Sequence, residues 1–149
     1  MHEAVVAGEG VRLVLRAERY EFPHLESGDD ANWVSGESAM SYGEAGSFSA
    51  WRGVSFRTEE LTSFRDEVKR LVDELDGEAT LCHLEGEVGC TIRLQRGSGD
   101  LDAFILLHYP HAELRVERVP TDQSYLQETA RQLDALVAAF PIRGNPHGR

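Results

Sequence analysis

Cysteine is scarce in this 149-residue chain. Cys82 and Cys90 are the two present, each in an alternating apolar segment and neither part of a CxxC pair. A structural zinc site usually takes four ligands, so no metal site is expected, and thiols of this kind act as small buried hydrophobes in a reducing compartment. Proline is also rare, with five in all, and the mixture of 41% hydrophobic and 28% charged residues is that of a folded globular chain rather than a disordered one. Long apolar runs are missing: the longest are of the order of Ala135–Phe140, far below the ~20 residues that a membrane-crossing helix needs. The first residues, MHEAVVAGEG, offer no basic start and no apolar core leading to a cleavage site, so the default compartment is the cytoplasm. Positive charge is in short supply as well. Fifteen bases against 26 acids leave −11, and no basic stripe interrupts the deficit, which sets direct nucleic-acid binding aside. The acidity has two readings: it keeps the protein soluble, or it steers a basic partner into contact.

At this length the chain fits one domain, 1–149. VRLVL at 11–15 alternates as a half-buried strand does, and Tyr20–Phe22 is a short second candidate stopped by Pro23. A polar loop, HLESGDD, bends at Gly28 and leads to strands over 32–41 and 47–56. A helix is expected over about 58–75. Thr58 stands at its N-cap, Glu59 and Glu60 in its first turn, Leu61, Phe64, Val68, Leu71, Val72 and Leu75 along one stripe, and Gly77 at its stop. With Thr58 as the cap, Leu61 falls at N3, so a cap without a capping box is expected. Strands at 79–84, 88–94, 101–109 and 112–119 follow, and a second helix covers about 121–140, with Leu126, Ala130, Leu133 and Val137 on its apolar face. PIRGNPHGR, 141–149, reads as a frayed tail. The architecture these elements predict is α+β, a mostly antiparallel sheet of about seven or eight strands with two helices, and no βαβ alternation.

Little in the chain carries catalytic chemistry. His108 and His111 form an HxxH on a hairpin turn, without the helix that would set both on one face, and GEG (8–10) and GSG (97–99) read as turns. No GxSxG elbow appears. Glu26, Asp29 and Asp30 crowd one loop, where carboxylates more often cap turns than act as acid and base; no cofactor is implied. The hairpin at 101–119 is more informative. With Pro110-His111 as its two-residue turn, Leu107 faces Leu114 and Ile105 faces Val116 on one side. The other side then pairs His108 with Glu113, Leu106 with Arg115 and Phe104 with Glu117. Trp51 also stands away from the apolar side of its own strand. Aromatic and aliphatic groups ringed by charge suit a binding surface, and a sheet face covered by the second helix would suit them equally.

Asp30–Trp33 is the step DANW. It is followed by SFSAWRGVSFRTEELTSFRDEVKRL, then GEATLCHLEGEVGCTIRL, then DQSYLQETARQLDAL. In this order and from Val11 to about Phe140, the chain resembles the WapI-type immunity proteins of contact-dependent toxin systems. The resemblance implies a non-enzymatic protein that binds and blocks a toxin domain, often a nuclease with a basic active site. It carries no catalytic residue onto this sequence. The partner-facing residues follow from physical grounds alone: Glu26, Asp29, Asp30, Trp51, Phe104, Leu106, His108, Glu113, Arg115 and Glu117. Two other readings stand beside it. One is a small hydrolase or ligand-binding protein that uses the acidic loop 26–30, which calls for a pocket holding Glu26 or Asp30 beside a histidine. The other is a homodimer formed through the second face of the sheet.

Overall fold

The computed structural model of the chain describes residues 2–43, 47–82, 87–108 and 111–144; the side chains of 47–55, 82, 107, 108 and 111 lie outside that description. Among these residues are nine strands and two α-helices. The strands are β1 (His2–Gly8), β2 (Val11–Ala17), β3 (Arg19–Tyr20), β4 (Trp33–Tyr42), β5 (Ser47–Arg57), β6 (Gly77–Cys82), β7 (Val88–Gln95), β8 (Ser98–His108) and β9 (His111–Asp122). The helices are α1 (Thr58–Glu74) and α2 (Gln123–Ala139).

The class is α+β, and every strand pairing is antiparallel. The strands divide between two sheets. In the first, β1 pairs with β2 and β2 with the end of β4; β3 pairs with the start of β4, and β5 runs along the other side of β4. The second is a meander in the order β6-β7-β8-β9. One apolar cluster joins both sheets and both helices, with Leu13, Leu15 and Met40 from the first sheet, Leu81, Ile92 and Ile105 from the second, Phe64 from α1 and Leu126 from α2.

Both helices fall where the 3.6-residue period places them, and their boundaries differ in physically readable ways. The N-cap of α1 is Arg57 and not Thr58: the Arg57 N–H donates to Glu60 Oε2 at 3.1 Å, which puts Glu60 at N3 and makes the glutamate half of a capping box. The guanidinium, which has no acceptor, cannot return the bond. The helix ends on Leu75 in a left-handed conformation (φ 62°), two residues before Gly77. α2 starts at Gln123, where Asp122 Oδ1 accepts from the Ser124 N–H at 2.8 Å.

The helices also finish two sheet edges. Among the described residues β1 has a strand, β2, on one side only, and α2 lies along the other. There Gln132 Oε1 accepts from the Val5 N–H at 2.7 Å, and the Thr129 hydroxyl donates to Val5 O at 2.6 Å. At the far edge of the second sheet, Glu67 of α1 accepts from the Thr80 N–H of β6 at 2.9 Å. Side chains of the two helices thus take the place of a neighbouring strand.

The segment after α2 is docked, where a frayed tail was expected at its start. Tyr20 OH donates to Pro141 O, and Phe140 meets Tyr20 edge-on at 5.4 Å. Arg143 Nε and Nη2 donate to Ala31 O at 3.0 and 2.7 Å, Nη2 also reaches Phe22 O at 2.9 Å, and the guanidinium lies 3.8 Å from the centre of the Tyr20 ring. Residues 145–149, the rest of that expected tail, lie outside the described residues.

Candidate partner-binding face

The sequence-expected residues fall in three places: the loop before β4, the β8–β9 hairpin, and β5, which carries Trp51. Glu26, Asp29 and Asp30 are all exposed on the loop before β4. This loop is a fixture of the fold. Asp29–Asn32 forms a single 3-10 turn, and Asn32, fully buried, exchanges two bonds with the Arg143 backbone: Arg143 N–H to Oδ1 at 2.7 Å and Nδ2 to Arg143 O at 3.1 Å. The carbonyl of Asp30 accepts from the Trp33 N–H. Asp29 stands 3.6 Å from Arg57, whose guanidinium lies 5.7 Å from the centre of the Trp33 ring. DANW therefore ties the start of β4 to the C-terminal segment and to the head of α1.

Phe104, Leu106, Glu113, Arg115 and Glu117 lie together on the β8–β9 hairpin. The register is His108 opposite His111, Leu106 opposite Glu113 and Phe104 opposite Arg115, so His111 is the first residue of β9 and not part of the turn. The expected pairings His108–Glu113, Leu106–Arg115 and Phe104–Glu117 are corrected accordingly. Since the two registers differ by an even number of residues, every side chain keeps its face. Val116, Ile105 and Ala103 point into the core, and the named residues point away from it. α2 does not cover this outer face; it packs on α1 and β1. The side chains of Trp51 and His108 lie outside the described residues.

The outer face is built around Phe104. Its partner on β7 is Gly89, where a β-carbon would stand 2.7 Å from Phe104 Cε1, so only a glycine leaves room for the ring to lie across the neighbouring strand. From the other side, Arg115 of β9 brings its guanidinium 4.8 Å from the ring centre while donating to both oxygens of Glu113, at 3.2 and 2.9 Å. One step along the sheet, Arg93 Nη1 bonds Asp100 at 2.9 Å and Asp102 at 3.0 Å. The Arg118 N–H, at the β-bulge, donates to Asp102 Oδ1 at 2.8 Å. That backbone donor, with Arg93 beside it, holds the Asp102 carboxyl below its ordinary range. A planar Arg–aromatic pair, half-buried at its base and fringed by carboxylates, has the make-up of a protein-binding hot spot.

Among the described residues two clefts bear on the candidate site, the second of them bordering this face. One of about 550 Å³ lies between α2 and the first sheet, lined by Val5, Ala7, Arg12, Tyr125, Thr129 and Gln132 among others. A smaller one of about 310 Å³ is lined by Tyr42 and by Leu114, Arg115, Val116, Glu117 and Val119 of β9. Neither contains Glu26, Asp29 or Asp30. Among the described residues, no group of three or more His, Cys, Asp or Glu could hold a metal ion, and no helix is long and apolar enough to cross a membrane.

A protein-family model described as the Immunity protein WapI-like family matches residues 5–141. The chain belongs to this family. No curated protein and no solved structure matches it. Within the WapI-like immunity protein the match takes in both sheets and both helices, and so the whole hairpin that carries Phe104 and Arg115.

Sequence reasoning passed over three residues of this WapI-like chain: Arg143, Gly89 and Asp102. A glycine inside an apolar alternating strand was the available signal for Gly89, since such a glycine often marks a close approach. The Arg93/Asp100/Asp102 group becomes visible only once β7 is aligned with β8. Nothing near Arg143 in the sequence marks it as an anchor.

Proposed function

We propose that this immunity protein neutralises a cognate toxin by binding it directly, through the outer face of the β8–β9 hairpin. The observation that carries the reading is the family match over residues 5–141, and the outward-facing, half-buried Phe104 with Arg115 over it supplies a physical anchor for a partner. The net charge of −11 and the carboxylates of Glu113, Glu117 and Asp102 favour a basic toxin surface, such as a nuclease active site. The protein acts by occlusion and performs no chemistry of its own.

The test pairs the purified protein with the C-terminal toxin domain encoded beside its gene. A one-to-one complex that abolishes toxicity is expected. Phe104→Ala and Arg115→Ala should each weaken it by about tenfold or more while leaving the protein folded, because truncating a hot-spot side chain costs about 1–2 kcal/mol or more of binding. Unchanged affinity in both variants would move the interface off this face.

A further inference from the structure

The sheet edges are not treated alike. The free edge of β1 is filled by Thr129 and Gln132 of α2, and that of β6 meets Glu67 of α1. β9 is also terminal in its sheet, and among the described residues no strand lies beyond it. Its last residues are sealed, since Pro120 O accepts from the Glu9 N–H at 2.8 Å and Thr121 Oγ1 donates to Ala7 O. Further back along the strand there is instead the 310 Å³ groove. Arg115 and Glu117, from the outer face, and Leu114, Val116 and Val119, from the core side, all line it. A groove lined from both faces of a strand opens at the strand's edge.

The backbone points the same way. The Leu106 N–H donates to Glu87 O on the β7 side, so Ile105 and Ala103 carry the ladder to β9, at Leu114 and Val116. By alternation, the N–H and C=O of Arg115 lie on the open side. Tyr42, 52% exposed, forms the opposite wall.

Resting on the toxin-binding reading, we propose that this edge takes an extended segment of the toxin domain as a fifth strand of the second sheet. The segment carries basic side chains opposite Glu113 and Glu117 and an apolar side chain that enters the groove under Tyr42. Strand addition of this kind draws affinity from main-chain hydrogen bonds and selectivity from alternate side chains. Charge selects the occupant. A second copy of this chain, paired antiparallel about Arg115, would set Glu113 against Glu117 and Arg115 against itself, and like charges directly opposite one another are destabilising.

The experiment is amide hydrogen exchange on the protein alone and with the neighbouring-gene toxin domain, together with binding by Tyr42→Asp, a change at an exposed side chain. The expected result is slowed exchange at Arg115 and Glu117 in the complex, with affinity of Tyr42→Asp reduced by about tenfold or more through a charge set against the apolar side chain that enters the groove. If the complex forms and those amides exchange as in the free protein, the strand-addition proposal is overturned and toxin binding stands. If no complex forms, the toxin-binding reading fails and takes this proposal with it. Slowed exchange in the protein alone, with a doubled mass by light scattering, assigns the edge to a second copy and overturns the toxin segment.

Discussion

Arg143→Ala would release the loop at 21–32 from the C-terminal segment, because one guanidinium holds the carbonyls of Phe22 and Ala31 and covers the Tyr20 ring. Hydrogen bonds to charged groups are worth about 1.5–3 kcal/mol each, and these are partly exposed. The loss should be about 2 kcal/mol, or roughly 5 °C in Tm, with faster amide exchange in the loop. Gly36→Ala should cost more. A β-carbon there would sit 2.0 Å from Arg16 O, a main-chain atom at the end of β2, where β4 runs beside it. Overpacking that no side chain can relieve is expected to cost about 3 kcal/mol or more, read as a drop in the urea midpoint. Cys90 is buried, and burial pushes its thiol up to about 12, so it should react with a thiol reagent only when the protein unfolds, as peptide mapping would show. At this scale the sequence was least legible. The acids of ESGDDANW stand out in the chain, yet the residue that organises the loop is an arginine more than a hundred positions away.

Elements were easier to read where one period governed them. α1 and α2 announce themselves through their apolar stripes and polar starts, and the single-residue shift of the α1 cap came from reading Thr58 where Glu60 in fact selects Arg57. β1 escaped because EAVVAG has no alternation: Ala4 and Val6 enter the core while Val5 and Ala7 are half-buried on the α2 side. The edge of that strand gives an element-scale prediction. Replacing Thr129 and Gln132 together by valine and leucine leaves the Val5 N–H and C=O without partners; the change should cost about 2 kcal/mol and make the protein prone to associate at raised concentration. The bulge of β9 gives another. The lowered Asp102 carboxyl contributes stability above its ordinary value of 3.8, and that contribution is lost as pH falls through the lower folded value. Urea midpoints at a series of pH values below 4 should therefore fall less steeply for Asp102→Asn than for the natural protein.

For the molecule as a whole, class and helix count followed from composition and pattern, whereas the division of the strands between two sheets did not. Which strands pair across distance is decided by packing that no local window contains, and the same limit hid which side of the β8–β9 hairpin stays open. The charge was legible and carries its own prediction. Association with a basic toxin should slow by about tenfold between low and high salt, and neutralising Asp30, Glu113 and Glu117 together should remove most of that dependence. Rates measured by stopped flow that ignore both changes would exclude electrostatic steering.

The cover of β1 has a consequence in time. Val5 waits for Thr129 and Gln132, 124 and 127 residues further along the chain. A nascent chain leaving the ribosome therefore keeps β1 uncovered until α2 has followed it out, and the contact that protects that edge is a late one. A chain cut short before α2 keeps that edge bare, which makes incomplete products the ones most prone to pair with one another.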